Sequence, residues 1–236
     1  MICKNCGYES EGKFCSNCGE SLHTHRVSMH HLLHETIHTF THLDKGFGYT
    51  LKKLITEPGR MQRLYLEGYR ARHQKPFSMF FICATISALC LYWIARFSRE
   101  AVSPEQDAGN YFLQHYYVLL HIALFPFYTL VTWLLFIKSK YNYAELLVLG
   151  MYQVAFMLLL LIPVNLIYVL LPFQQTRVIE VIVISIYNIW TFVQFFNKTP
   201  KLQVIFLSII NAGINFFAFS FIMEWIILNV LVKASH

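Results

Sequence analysis

Five nearly charge-free stretches of about 20 residues each dominate this chain and leave few folds open to it. A helix crossing the hydrocarbon core needs about that many apolar residues, because lipid offers its backbone no hydrogen-bond partner. Runs near residues 77–96, 116–137, 144–171, 178–196 and 202–223 meet the requirement. Pro126 lies inside the second run. Pro163 lies inside the third, which is long enough to tilt and is expected to bend. After Glu224 comes an apolar tail, Trp225–Val232, too short to span; it either lies in the interface or extends the last helix.

Composition agrees with this reading. The 236 residues are 56% hydrophobic and 14% charged, against about 25% charged in a soluble chain. Residues 1–75 hold 18 of the 32 charged side chains and 8 of the 11 histidines. These numbers exclude a secreted disulfide scaffold, a disordered chain and a water-soluble enzyme. They leave a small polar head on a polytopic membrane body.

Basic residues set the expected orientation. Seven Lys and Arg side chains stand between Tyr49 and Lys75, with two acids. Lys138 and Lys140 occupy the second loop, and Lys198 and Lys201 the fourth. The first loop sets Arg99 against Glu100, Glu105 and Asp107, and the third has only Arg177. The N-terminus is therefore expected in the cytoplasm, with Lys233 near the C-terminus the one dissenting charge. The opening Met-Ile-Cys-Lys-Asn-Cys has no apolar core or cleavage site, so no signal peptide is expected. The basic cluster suits an anionic membrane surface better than nucleic acid.

Cys3-Lys-Asn-Cys6-Gly and Cys15-Ser-Asn-Cys18-Gly form two knuckles. Each places two thiolates on one side of a tight turn, and Gly7 and Gly19 permit the positive φ that such turns need. Four sulfurs close a tetrahedral site for one zinc ion, and a reducing cytoplasm favours metal over disulfides. With four protein ligands and no open position, the ion is expected to fold the segment rather than to catalyse. Bound zinc would bring the formal charge of +6 to about +4, since four thiolates outweigh two metal charges.

Ser28 is placed to cap a helix reaching about His42. Met29, Leu32, Leu33, Thr36, Ile37, Phe40 and Leu43 share one face, and His30, His31, His34, His38 and His42 the other. Within it, His34-Glu35-Thr36-Ile37-His38 matches H-E-x-x-H, in which two histidines hold zinc and the Glu acts as general base. So many histidines make the match cheap, and no third ligand stands out, although Asp44 or His73 can be named. The favoured reading is a solvated polar face; metal binding there, and zinc hydrolysis through His34, Glu35 and His38, rank below it.

Asp44-Lys45-Gly46-Phe47, Thr50-Leu51, Pro58-Gly59, Tyr65-Leu66-Glu67-Gly68 and Pro76-Phe77 follow the double knuckle in order. Together, over roughly residues 1–85, they resemble the uncharacterised bacterial family, of Bacteroidetes type, catalogued as domain of unknown function 3667. One departure is Tyr69, where the pattern has a basic residue, with Arg70 next to it. The resemblance implies a zinc-ribbon membrane protein and no known reaction.

Pro58 is expected to interrupt or restart a short helix over 50–56. In the helix that follows, Arg60, Arg63 and Arg70 recur on one face with Glu67, and Met61, Leu64, Tyr65 and Gly68 on another. This predicts an interfacial helix, its apolar side in lipid or on the bundle. Arg60, Arg63, Arg70, Arg72 and Lys75 are its candidate contacts to anions or the membrane surface. Gly68 is expected to let it pack closely, and Pro76 to start the first span. Cys83 and Cys90, seven apart in that span, read as small packing residues.

Asn165, Asn188, Asn211 and Asn215 place amides within the spans, with Gln194 and Ser208 beside them. Amides in lipid need partners, and facing helices supply them. Glu145, Glu180 and Glu224 all fall near span ends, so no acid is expected at mid-depth, which lowers the ranking of an ion-coupled transporter.

The predicted fold is an all-α polytopic membrane protein of about five transmembrane helices, with a small N-terminal four-cysteine zinc ribbon and cytoplasmic amphipathic helices. Its divisions are the ribbon (1–22), the amphipathic and interfacial helices (26–75) and the bundle (76–236). The leading expectation is a non-enzymatic docking, scaffold or regulatory protein of a bacterial inner membrane. Its partners would be the bilayer and a cytoplasmic or membrane protein, with self-association compatible and nucleic acid disfavoured. The alternative is transport or lipid handling through the bundle.

Overall fold

The computed structural model describes residues 1–22, 26–29, 46–97, 108–168 and 173–226. Among these, seven α-helices follow a small N-terminal knob. Two are short, α1 (Phe47–Thr56) and α2 (Pro58–Glu67). Five are long: α3 (Pro76–Phe97), α4 (Ala108–Leu135), α5 (Tyr143–Tyr168), α6 (Phe173–Phe195) and α7 (Lys201–Ile226). All five are long and apolar enough to cross a membrane, which marks a multi-pass membrane protein. Pro126 and Pro163 both sit inside continuous helices. Pro76 opens α3, as expected. The last helix runs past Glu224 to Ile226, so Trp225 and Ile226 extend it; the rest of the apolar tail lies outside the described residues.

The long helices do not share burial equally. In α5, 67% of the span is buried, against 11% in α7, which makes α5 the centre and α7 the lipid-facing wall. The central helix packs on α3, α4 and α6, whereas α7 rests on α4 and α6. Ser87 ties α3 to α5 by donating to the Leu158 carbonyl at 2.9 Å. Tyr152 and Leu158, both almost fully buried, sit in this seam.

The helices α1 and α2 form a hairpin packed on the bundle. Pro58 takes the first helical position of α2, where its missing N–H costs nothing. Leu54, Met61, Gln62 and Tyr65 turn inward and are buried. Of the two environments expected for the apolar face of α2, it meets the bundle, along α6 and α5. Gly59 makes this possible: a Cβ there would come within 2.0 Å of the Thr191 carbonyl oxygen and 2.6 Å of the Phe195 nitrogen. Gly68, also buried, ends α2 at φ 111°, and the Tyr69 N–H returns to the Leu64 carbonyl at 3.0 Å. That early stop also removes Arg70 from the helix, so it does not share a helical face with Arg60 and Arg63.

With these directions, α3, α5 and α7 start, and α4 and α6 finish, at one end of the bundle. The knob attaches at this end, through contacts to residues 70, 71 and 145. Lys138, Lys140, Lys198 and Lys201 lie in or beside the two connections there.

Candidate functional site

The knob is built from two copies of one turn. In each, a cysteine carbonyl accepts from a glycine N–H four residues on, Gly7 to Cys3 and Gly19 to Cys15, both at 2.9 Å. Both glycines have φ 73°, the left-handed conformation that the knuckles were expected to need. Short antiparallel bridges, Ile2 with Glu9 and Phe14 with Ser21, close the two turns. Folding this way brings the sulfurs of Cys3, Cys6, Cys15 and Cys18 within 4.8 Å of one another. Cys3 lies 3.6 Å from Cys18, and Cys6 3.6 Å from Cys15. A tetrahedron of metal–sulfur bonds of about 2.3 Å has edges of about 3.8 Å, so the donor set fits a metal ion, and soft thiolates suit zinc. None of the six cysteines is in a disulfide. The thiols are not equivalent. Desolvation pushes Cys3 up to about 11. The backbone N–H of Cys18, helped by Asn17 and the Ser10 hydroxyl, draws Cys15 down to about 6.

Two charged clasps hold the knob and the segment after it against the helices. The buried Glu20 carboxylate accepts from the backbone N–H groups of Arg70 (2.8 Å) and Ala71 (2.7 Å), just beyond the end of α2. Arg26 makes a paired contact to Glu145, Nε to Oε1 at 2.7 Å and a terminal nitrogen to Oε2 at 2.9 Å. Glu145 is also the third residue of α5, and it closes a capping box. Its N–H donates to Asn142 Oδ1, and its carboxylate accepts from the Asn142 N–H, both at 2.8 Å. Asn142 Nδ2 then reaches the Val27 carbonyl at 3.1 Å.

The basic residues proposed for the membrane surface divide. Arg60 and Arg72 are exposed; Arg63, Arg70 and Lys75 are half-buried. Arg63 donates to the Gln194 carbonyl at 3.2 Å, capping the C-terminal end of α6 where a cation is favoured. Arg70 lies over the Tyr65 ring, 5.4 Å from its centroid. Nearby, His73 sits between the rings of Tyr49 and Tyr65, with Nδ1 3.5 Å from the Thr50 hydroxyl. Burial, with Lys53 adding to it, draws His73 down to about 4.

Inside the bundle, between α5 and α7 and flanked by α4 and α6, lies a cavity of about 610 Å³. Most of its wall is apolar, including Phe125, Val154, Met157, Leu158, Ile184 and Phe219. Polar groups enter it from four helices. Asn211 donates to the Thr132 hydroxyl at 3.0 Å and accepts from Asn215 Nδ2 at 3.1 Å, which joins α7 to α4. Three buried amide atoms in the wall have no protein partner: Gln153 Nε2, Asn188 Oδ1 and Asn215 Oδ1. Gln153 and Asn188 are only 6% and 8% exposed. A buried polar atom left unbonded costs about 1–3 kcal/mol, so three around one cavity need an explanation.

Of the four expected intramembrane amides, Asn188, Asn211 and Asn215 line the cavity. Asn165 acts behind it, donating to Glu180 at 2.9 Å and to the Leu161 carbonyl at 2.9 Å. Glu180 stands near a span end, as expected, two residues after Val178, where the apolar window of α6 begins; it is buried and on the cavity wall. Gln153 and Thr132 also line the cavity and were not singled out from the sequence, and His121, a second-span histidine of open facing, lines it too. Gln153 had a signal, since with Asn165 it is one of two amides in the most apolar span. The histidine face of 30–42, with His34, Glu35 and His38, lies outside the described residues, as do the side chains of Arg177 and His115. Cys83 is fully buried in α3 and Cys90 partly, in keeping with packing roles.

Comparison with known proteins places one segment. Residues 44–88 match the model of the family described as Protein of unknown function (DUF3667), the family that the ordered motifs resemble. The matched stretch comprises α1, α2, the turn after them and the first half of α3; the cysteine knob lies before it. No curated protein and no solved structure matches the chain.

Proposed function

We propose that this chain is a non-enzymatic protein of a bacterial cytoplasmic membrane that binds an amphipathic small molecule inside its bundle, in a carrier or lipid-handling role. One structural zinc ion folds the knob. The observation that carries the reading is the 610 Å³ cavity, with an apolar wall that polar side chains join from four helices. Binding sites commonly combine that size, an apolar lining and a few converging polar groups. The knob then serves as a clasp, since Glu20 and Arg26 commit it to its own helices. The knob end is taken to face the cytoplasm, supported by Lys138, Lys140, Lys198 and Lys201 there.

The test is extraction of bound molecules from detergent-purified protein, read by mass spectrometry. Ala212 lines the cavity, so Ala212→Phe fills it without touching an amide. A compound enriched over the detergent background in the wild type and absent from Ala212→Phe supports the reading. Identical profiles in both proteins would remove it.

A second reading keeps the docking role, on one observation. Ile2, Tyr8 and Phe14 are 73%, 53% and 65% exposed on the knob. A protein partner would cover such a surface. Affinity capture with the intact chain and with an Ile2→Ser, Phe14→Ser variant decides it; the same proteins recovered by both would count against docking.

A further inference from the structure

The cavity is sealed at the knob end of the bundle, which restricts how a ligand can lie in it. We propose, resting on the binding role above, that the cavity is a blind well for the hydrocarbon tail of a long-chain amphiphile. The tail ends on a phenylalanine floor near the knob, and the polar head stays at the opposite rim, beside Glu224.

Three observations converge. The first is the floor. Phe136 at the end of α4, Leu146 and Leu149 of α5, Phe192 and Phe196 at the end of α6, and Val204 of α7 form one buried cluster, each at most 3% exposed. The Phe136 and Phe196 rings stack at 4.1 Å, and Phe192 meets Phe136 edge-on at 5.4 Å. Leu146, Leu149 and Phe192 also line the cavity, so the cluster bounds it on that side. Among the described residues, side chains buried this far leave no water-sized gap between them.

The second is the wall. Helices α4, α5, α6 and α7 form a ring in which each packs on its two neighbours. Little of the surface that faces the space is polar. Thr132 and Asn211 bond to each other, and the unbonded amide atoms of Gln153 and Asn188 are themselves covered by protein. Hydrocarbon is the matching occupant, because a polar group placed there would lose its water and find few partners.

The third is the length. The wall runs along α7 from Asn211 to Glu224, about 20 Å of helix. One leaflet supplies about 15 Å of the ~30 Å hydrocarbon core, so the well suits a tail of the length that membrane lipids carry. At the end away from the floor, Glu224 is exposed, Glu180 joins the wall, and the His121 ring lies 4.7 Å from Phe219. Ionisable side chains near a span end lie toward headgroup depth, where the head of an amphiphile also belongs.

The experiment is photolabelling of the full chain in phosphatidylcholine vesicles. The probe is monopalmitoylglycerol with a diazirine either at the last chain carbon or beside the ester, and labelled peptides are read by mass spectrometry. Leu149 and Phe192 are each 1% exposed, so label on them arrives through the cavity rather than from surrounding lipid. The terminal diazirine is expected to favour peptides around Leu149 and Phe192 over those around Phe219 and Ser220 by about tenfold, and the ester-proximal one to reverse that preference. Ala212→Phe should remove both patterns, with thermal unfolding confirming that it folds. If it does not fold, Ser185→Phe fills the same space from α6. Both probes marking the same peptides, or the two preferences exchanged, with labelling still blocked by Ala212→Phe, overturns the tail-first well and leaves the cavity reading standing. No labelling around Leu149 and Phe192, or labelling indifferent to Ala212→Phe, also overturns the well. If the extracted profiles of wild type and Ala212→Phe match as well, the binding role falls with it.

Discussion

The two ends of the polar network follow opposite rules. Where the knob meets the helices, the buried carboxylates are closed into sets: Glu20 on two backbone N–H groups, Glu145 on Arg26 and the cap of α5. Around the cavity, amides stand open. Closed sets hold a fixed arrangement, because removing any member strands the others. Open amides weaken the protein, because each leaves a buried polar atom unbonded. Gln62 sharpens the contrast. It is fully buried on α2 with both amide atoms unpartnered, yet it does not line the cavity. An open amide is therefore not by itself a ligand contact.

The largest effect expected is at the four cysteines, because a structural zinc ion of the kind proposed supplies about 10–16 kcal/mol to comparable small sites. A Cys3/Cys6/Cys15/Cys18→Ser variant should bind no metal by elemental analysis and lose the knob fold. The helical signal of the bundle should remain. About one zinc per wild-type chain is expected. A second ion that survives the cysteine changes would instead point to His34 and His38.

Next comes the α2–α6 contact. Gly59→Leu has no room against Thr191 and Phe195 and should destabilise by about 3 kcal/mol or more in thermal unfolding. A neutral result would mean that the hairpin packs less closely than 2.0 Å implies.

Breaking a closed set should cost less, since Arg26 is largely exposed. Glu145→Ala removes the Arg26 contact and half of the capping box, for about 2 kcal/mol. The knob should become more susceptible to proteolysis while the bundle stays intact.

Acid should loosen the hairpin by a similar or smaller amount. The folded value of His73 lies near 4, below the usual 6.5. Its contribution is thus complete above about pH 6.5 and is lost as pH falls toward 4. Allowing for its partial exposure, the loss is about 1–2 kcal/mol. Unfolding followed at pH 7 and pH 4.5 should show it, and His73→Gln should flatten that part of the profile.

The smallest change has the opposite sign. Gln62→Leu removes an orphaned amide and should stabilise by about 1 kcal/mol. The same replacement at Asn188, whose Oδ1 is also unbonded, should stabilise by a similar amount.

Much of this was legible along the chain. Charge-free runs near 77–96 and 202–223 marked helices, and knuckle spacing marked the four sulfurs, because both properties depend on neighbours in sequence. Pro58 and Pro76 announced two helix starts for the same local reason. Lateral placement was not legible. In α7, Ser208, Asn211 and Asn215 share one face and mark the side that turns inward, but they do not say which neighbour it meets. Only packing decided that Asn211 would find Thr132, that Glu180 would stand against Asn165, and that Gly59 would lie against the backbone of α6. Hydropathy and spacing are summed along one strand of chain, whereas a cavity belongs to four helices at once and exists only when they come together.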